Sequence, residues 1–222
     1  MAENNNTQKK PNIIFRFFDR FGDLFVINIL FIVCSIPIIT AGASFSAMLY
    51  VTNRMVMKEE GRISELFFKG FKQNFKLATP LWIIVLAIAY GAHFSYQCSL
   101  GVTGQTANIF TGFTALLLIV LTFLLPLLFP LVARYDNTVG RTLINSLVLS
   151  ITHIKLWIKI VIIWMVPIII YYINILTFWY TWYLWILILT AILSYTTSML
   201  VKPLYDELEA DHNDGEDSQA ES

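Results

Sequence analysis

Charge is what this sequence has least of. Of its 222 residues, 14% are Asp, Glu, Lys or Arg, while 57% are hydrophobic and 15% aromatic. A water-facing domain carries about 25% charged residues, so the deficit excludes a soluble surface of ordinary composition and points to lipid as the solvent. No acidic residue lies between Glu65 and Asp136, which leaves the apolar runs without the buried carboxylates of a proton- or ion-coupled pump. Only two cysteines occur, Cys34 and Cys98, both inside apolar runs, and their spacing fits neither a metal site nor a disulfide framework. There is no Gly-Lys-Ser/Thr phosphate loop, no His-Glu-x-x-His and no Gly-x-Ser-x-Gly, so none of the common catalytic motifs is present. The expectation is a non-enzymatic chain with no catalytic residue, no cofactor, no metal and no nucleic-acid partner.

What is present is a series of long apolar stretches separated by basic patches. Residues 1–12 are polar and Asn-rich, which reads as a disordered tail. Ile13 to Phe25 reads as an interfacial helix leading into the membrane, and with Asp19 and Asp23 beside it the first apolar run does not resemble a cleavable leader. A single helical domain is expected over 13–204, all-α, with about six membrane helices at 24–39, 41–57, 77–100, 107–133, 156–176 and 180–201. An acidic, disordered tail follows at 205–222. The first two runs are short and are separated by Pro37, which disfavours helix at Ile36. Thr40 and Gly42 complete this break, and small residues follow it, as in closely packed membrane helices.

Charge then restricts the topology. Lys9, Lys10, Arg16 and Arg20 precede the broken pair; Arg54, Lys58, Arg62, Lys69, Lys72 and Lys76 follow it. Basic residues mark the cytoplasmic side, so the pair either crosses twice as a hairpin or enters and leaves as a re-entrant loop. Both termini are expected in the cytoplasm, in a multi-pass plasma-membrane protein. An aromatic belt, Phe178 to Trp185, falls between the last two runs, where interfacial anchoring accounts for it.

The stretch 62–76 has the pattern of an amphipathic helix: Phe67, Phe71 and Phe75 recur at four-residue steps, while Arg62, Lys69, Lys72 and Lys76 fall largely on the other face. These seven residues are the candidate contact surface, for anionic lipid or for a partner protein. A second short helix is expected over Arg141 to Ile154. Gly61-Arg62 and Gly140-Arg141 stand at matching distances before Lys76 and Lys155, and Arg54 and Arg134 end the preceding runs, a pattern that suggests a duplication. His93 is the one group inside a run that ionises near neutrality; it either binds a solute or is a neutral imidazole bonded to a neighbour. Asn28, Asn53 and Thr40 read as polar groups that fix helix packing.

The segments Ser35-Ile36-Pro37-Ile38-Ile39-Thr40-Ala41-Gly42-Ala43, Tyr50-Val51-Thr52, Glu60-Gly61, Phe67-Phe68 and Phe71 to Thr79 resemble the YesL-like family, small integral membrane proteins of Gram-positive bacteria grouped as of unknown function. Ile36-Pro37 stands where the family pattern has Leu-Pro. The resemblance covers roughly residues 15–80. It implies a role in carbohydrate uptake, as an accessory to a sugar ABC importer or a membrane sensor kinase, and assigns no site residue. The alternative is a stand-alone facilitator for a small neutral solute, which requires a polar cavity reached by His93, Asn28 and Thr40.

Overall fold

The computed structural model describes residues 13–59, 61–173, 179–180 and 188–220. Among these the chain is all-helical: α1 (Ile13–Ser35), a 3-10 turn (Ile38–Thr40), α2 (Ala41–Val56), α3 (Ile63–Gly101), α4 (Gln105–Arg134), α5 (Val139–Thr152), α6 (Ile154–Ile173) and α7 (Thr190–Ala220). The expected tail at 1–12 and most of the aromatic belt lie outside the described residues, as do the side chains of residues 13–19.

The helices α1 and α2 form an antiparallel hairpin folded at the Pro37 break. Arg20, early in α1, donates to the Met55 carbonyl near the end of α2 at 3.3 Å, so the open end of the hairpin is closed by a cation. At the fold, α1 ends at Ser35 and leaves carbonyls without helical partners. The Thr40 hydroxyl lies 2.7 Å from the Cys34 carbonyl and 2.8 Å from the Pro37 carbonyl, and the Trp82 indole N–H reaches the Ile38 carbonyl at 2.8 Å. Ile36, Ile38 and Ile39 are exposed at the tip. Thr40→Val keeps the shape and removes the hydroxyl. It is expected to lower stability by about 1–2 kcal/mol, read as a lower midpoint in thermal unfolding of the detergent-solubilised chain, while Thr40→Ser stays within about 0.5 kcal/mol of the parent.

The hairpin docks on the first part of α3, and two glycines permit the approach. A Cβ on Gly42 would collide with the Trp82 Cβ and sit 2.8 Å from its Cγ; a Cβ on Gly70 would lie 2.7 Å from the Tyr50 ring. These two contacts fix the register: Tyr50 beside Gly70, Gly42 beside Trp82, hence α2 and α3 antiparallel. The tip therefore meets α3 at Trp82, while α3 runs on to Gly101, roughly 28 Å further at about 1.5 Å per residue.

Beyond the hairpin α3 pairs with α4, which returns antiparallel: Ser95 Oγ donates to the Phe110 carbonyl at 2.9 Å. Both carry prolines. Pro126 leaves the Thr122 carbonyl without its helical N–H, and the Trp157 indole supplies a donor at 3.0 Å. The core forms where α2, α3 and α4 meet, around Leu49, Leu81, Val85, Leu124, Leu128 and Val132. A smaller apolar cluster joins α4, α6 and α7 through Leu127, Ile160, Val201 and Tyr205.

About six membrane helices were expected; among the described residues three helices, α3, α4 and α6, are long and apolar enough to cross a membrane. The segment 41–57 forms a helix of 16 residues, below the roughly 20 that a bilayer core requires; α1 carries Arg20 and Asp23 within its length. The segment 180–201 is described only in part, from Thr190 within α7. The amphipathic stretch 62–76 and the run 77–100 are one continuous helix of 39 residues, because nothing between Lys76 and Leu77 interrupts the backbone. Pro80 frees only the carbonyl of Lys76, four residues back, at the charged end of that helix.

The short helix expected over 141–154 is present as α5, and its two faces differ. In α5 the hydroxyl residues Thr142, Ser146 and Ser150 are buried, and Ile144, Val148 and Ile151 are exposed. Ser150 Oγ donates to the Phe123 carbonyl at 2.7 Å, so small polar residues pack on α4 and the apolar face looks outward, as lipid requires. The suggested duplication does not recur as structure: its first copy is the unbroken α3, its second is split between α5 and α6 at His153 (φ −104°, ψ 49°). Finally, 205–222 was expected as a disordered tail, yet α7 continues to Ala220. Buried Leu204 and Tyr205 and an ion pair from Glu209 hold its middle to the bundle.

Candidate functional site

Two places on the molecule are candidates: the charged end of the bundle, with the outer face of α3 beside it, and an apolar cavity among α2, α4, α6 and α7.

The charged end forms because the start of α1, the end of α2, the start of α3, the end of α4 and the middle of α7 meet there. Arg134 closes α4 and pairs with Glu209 of α7 at 2.6 Å; the Met57 sulfur lies 3.3 Å from the same guanidinium. Arg54 pairs with Glu59 at 2.5 Å and stands 4.7 Å from the Tyr50 ring centroid. Tyr205 is buried, and its hydroxyl donates to the Pro130 carbonyl at 2.7 Å. Burial pushes the Tyr205 phenol well above its ordinary range. Tyr135 is pushed the same way, by burial first and by the Glu209 carboxylate second. Burial therefore favours the neutral form of both phenols.

On α3 the face toward α2 is set by Phe67, Gly70, Asn74, Ala78, Leu81 and Val85, all buried. The opposite face carries Phe68, Lys69, Lys72, Phe75 and Lys76, all exposed, and Arg62, just before the helix, is exposed with Glu65 at 3.5 Å. Lys69, Lys72 and Lys76 make no ion pair among the described residues. The seven candidate contact residues thus divide. Arg62, Lys69, Lys72, Phe75 and Lys76 form one exposed stripe. Phe67 is 0% exposed, packed with Ile27, Met48, Val51 and Met55, and so cannot meet lipid or a partner. Phe71 is half-buried and wedged between the two clusters of the hairpin, with its ring 5.6 Å from that of Phe75. Sequence reasoning missed Phe68, whose exposure was legible only as its four-residue spacing to Lys72.

The cavity has a volume of about 450 Å³ and is walled by side chains including Phe31, Phe45, Trp82, Phe129, Trp164 and Met165. Its polar groups are threonine hydroxyls. Thr122 donates to the Leu118 carbonyl at 2.7 Å, and Thr197 donates to the Leu193 carbonyl at 2.8 Å while accepting from the Trp164 indole. Among the described residues its lining holds no His, Cys, Asp, Glu or Lys, and His93, Asn28 and Thr40 do not line it. His93 stands exposed on α3 and Asn28 is buried in α1, while Thr40 is committed to holding the break. A polar solute path through these three is not the arrangement found. The cavity left no sequence signal, because its walls come from apolar residues scattered over α1, α2, α3, α4, α6 and α7. Among the described residues no group of three His, Cys, Asp or Glu side chains converges as metal ligands.

Comparison with known proteins gives one family match. Residues 24–96 match the family described as "Protein of unknown function, DUF624", to which YesL-like proteins belong, in agreement with the resemblance carried by the Pro37 break and the α3 motifs. The matched span begins within α1 and ends within α3, so it covers the hairpin and its docking helix. No curated protein and no solved structure matches the chain.

Proposed function

We propose, from a DUF624 match that coincides with the hairpin and the basic stripe it supports, that this is a non-enzymatic multi-pass membrane protein acting by contact with a partner, a sugar ABC importer or a membrane sensor kinase. The orientation follows from charge. Basic residues favour the cytoplasmic side, so the charged end lies in the cytoplasm and the uncharged α3–α4 turn faces out. The α1–α2 hairpin enters and leaves from the cytoplasmic side, since its tip stops at Trp82. Arg20 beside Met55 and Glu209 beside Arg134 bring the early and late parts of the chain to that same end, which supports cytoplasmic termini.

One observation carries the reading: an exposed, cationic and aromatic stripe stands on a rigid helix whose other face is fully packed. Rigid presentation lowers the ordering cost of association, and exposed aromatic and basic side chains are the residues from which interface anchors are drawn. The carbohydrate connection rests on the YesL-like resemblance alone. The test places a photo-crosslinking amino acid at Phe68 or Phe75 in living cells. Crosslinks to a transporter or sensor subunit are expected, abolished by the triple change Lys69→Glu, Lys72→Glu, Lys76→Glu with the thermal unfolding midpoint unchanged. Crosslinks to lipid alone, insensitive to charge reversal, would reject the partner and leave the stripe as a membrane anchor.

A further inference from the structure

We infer that the apolar cavity among α2, α4, α6 and α7 is a binding site for one hydrocarbon chain of an anionic phospholipid. Its volume, about 450 Å³, lies in the range of about 300–1,000 Å³ of small-molecule sites. Water is a poor occupant. The Thr122 and Thr197 hydroxyls already donate to carbonyls of their own helices, and a buried water needs about 2–4 polar partners. An empty cavity is also unfavourable, because lining atoms without neighbours lose their dispersion contacts.

The mouth identifies the occupant. Leu125 of α4 and Met165 and Ile168 of α6 line the cavity and are exposed. They continue into the outward apolar surface of the same helices, Leu118 and Ile119 on one and Ile162 and Ile169 on the other. Both helices are long and apolar enough to cross a membrane, so the solvent at that mouth is acyl chain. A chain entering from the bilayer gains no transfer free energy; its gain is the contact of filling the void. The first turns of α6 supply charge complementarity. Lys155 and Lys159 are exposed there and have no ion pair among the described residues; Lys159 directly precedes Ile160 and Val161 of the cavity wall, and Lys155 lies one turn earlier. An anionic phosphate is the group they would hold.

The test uses the full chain in vesicles carrying a trace of phosphatidylglycerol with a diazirine near the end of one acyl chain, with adducts mapped by mass spectrometry. Adducts are expected on Phe45, Trp164 and Met165 above those on Ile119 and Ile162. Ala41→Phe, which projects a ring into the cavity, should reduce the cavity adducts to the level of Ile119. Val161→Trp tests the same point from the opposite wall should Ala41→Phe fail to fold. Lys155→Gln with Lys159→Gln should equalise labelling by phosphatidylglycerol and phosphatidylcholine probes. Adducts spread evenly over the outward surface, or unchanged by both filling variants, overturn the site. Cavity labelling by a free fatty-acid probe but by neither phospholipid overturns the phospholipid assignment. The readout involves no partner, so it stands or falls separately from the contact function of the α3 stripe.

Discussion

Phe67→Ala is expected to lower the stability of the folded bundle by about 3–5 kcal/mol, the usual range for deleting a buried ring. Phe75→Ala, two turns further along the same helix, should lower it by less than about 0.5 kcal/mol. The two residues sit in the same phenylalanine-rich stretch and differ only in which face of α3 they occupy. Phe67 is 0% exposed and fills the space among Ile27, Met48, Val51, Met55 and Ala191, contributed by α1, α2 and α7. Three helices close around it, and none can move inward to fill the space without disturbing the other two, so most of the cavity would remain. Phe75 is 38% exposed and touches Phe71 at its edge. Denaturation of the purified full chain in one fixed detergent measures both. Equal losses would mean that the hairpin does not pack on the face of α3 that carries Phe67. Crosslinking from position 68 reports a different property, so Phe75→Ala should weaken partner capture from there while leaving the unfolding midpoint in place.

This contrast shows where sequence reading succeeds and stops. The break at Pro37, the helical class and the charged end were legible because each rests on local chemistry: a proline, a run of apolar residues, a cluster of cations. The division of Phe67, Phe68, Phe71 and Phe75 between core and surface was not. In water an apolar residue marks the buried face, but beside a membrane both faces of a helix can be apolar, and periodicity loses its sign. The same loss hides the facing of α5, where Ser146 and Ser150 face the protein and Val148 and Ile151 face out. Continuity was the second hidden property. A change from charged to apolar composition at Lys76 reads as a boundary between a surface helix and a span, yet the backbone continues through it. The persistence of α7 past Tyr205 was hidden likewise, because the Arg134–Glu209 pair joins residues distant in sequence. The cavity lay beyond sequence reasoning altogether, since no spacing along one helix encodes a void shared by several.

Gly42→Leu is the second change expected to have a large effect, and it tests the fold-back itself. At this position α2 touches α3 backbone to backbone: the Ala78 carbonyl would lie 3.2 Å from an added Cβ, and the Trp82 contacts are with its Cβ and Cγ, atoms close to the main chain. A side chain whose far end blocked the way could swing aside; these atoms move only if a helix moves. Overpacking at a rigid contact typically costs about 1–3 kcal/mol, and here the displacement would also pull the Trp82 indole from the Ile38 carbonyl. Losing that bond leaves the hairpin tip with an unsatisfied carbonyl, a further loss of roughly 1–3 kcal/mol in apolar surroundings. The expected outcome is a steep fall in folded yield and a lowered unfolding midpoint. Gly112→Leu and Gly140→Leu, where an added Cβ meets nothing within 4 Å, should behave as the parent. The break at Pro37 alone would let the chain turn back in many ways; the close approach at Gly42 selects one. If Gly42→Leu folds as well as Gly112→Leu, the hairpin does not dock at Trp82, and the α1–α2 pair is free to cross the bilayer as two full spans.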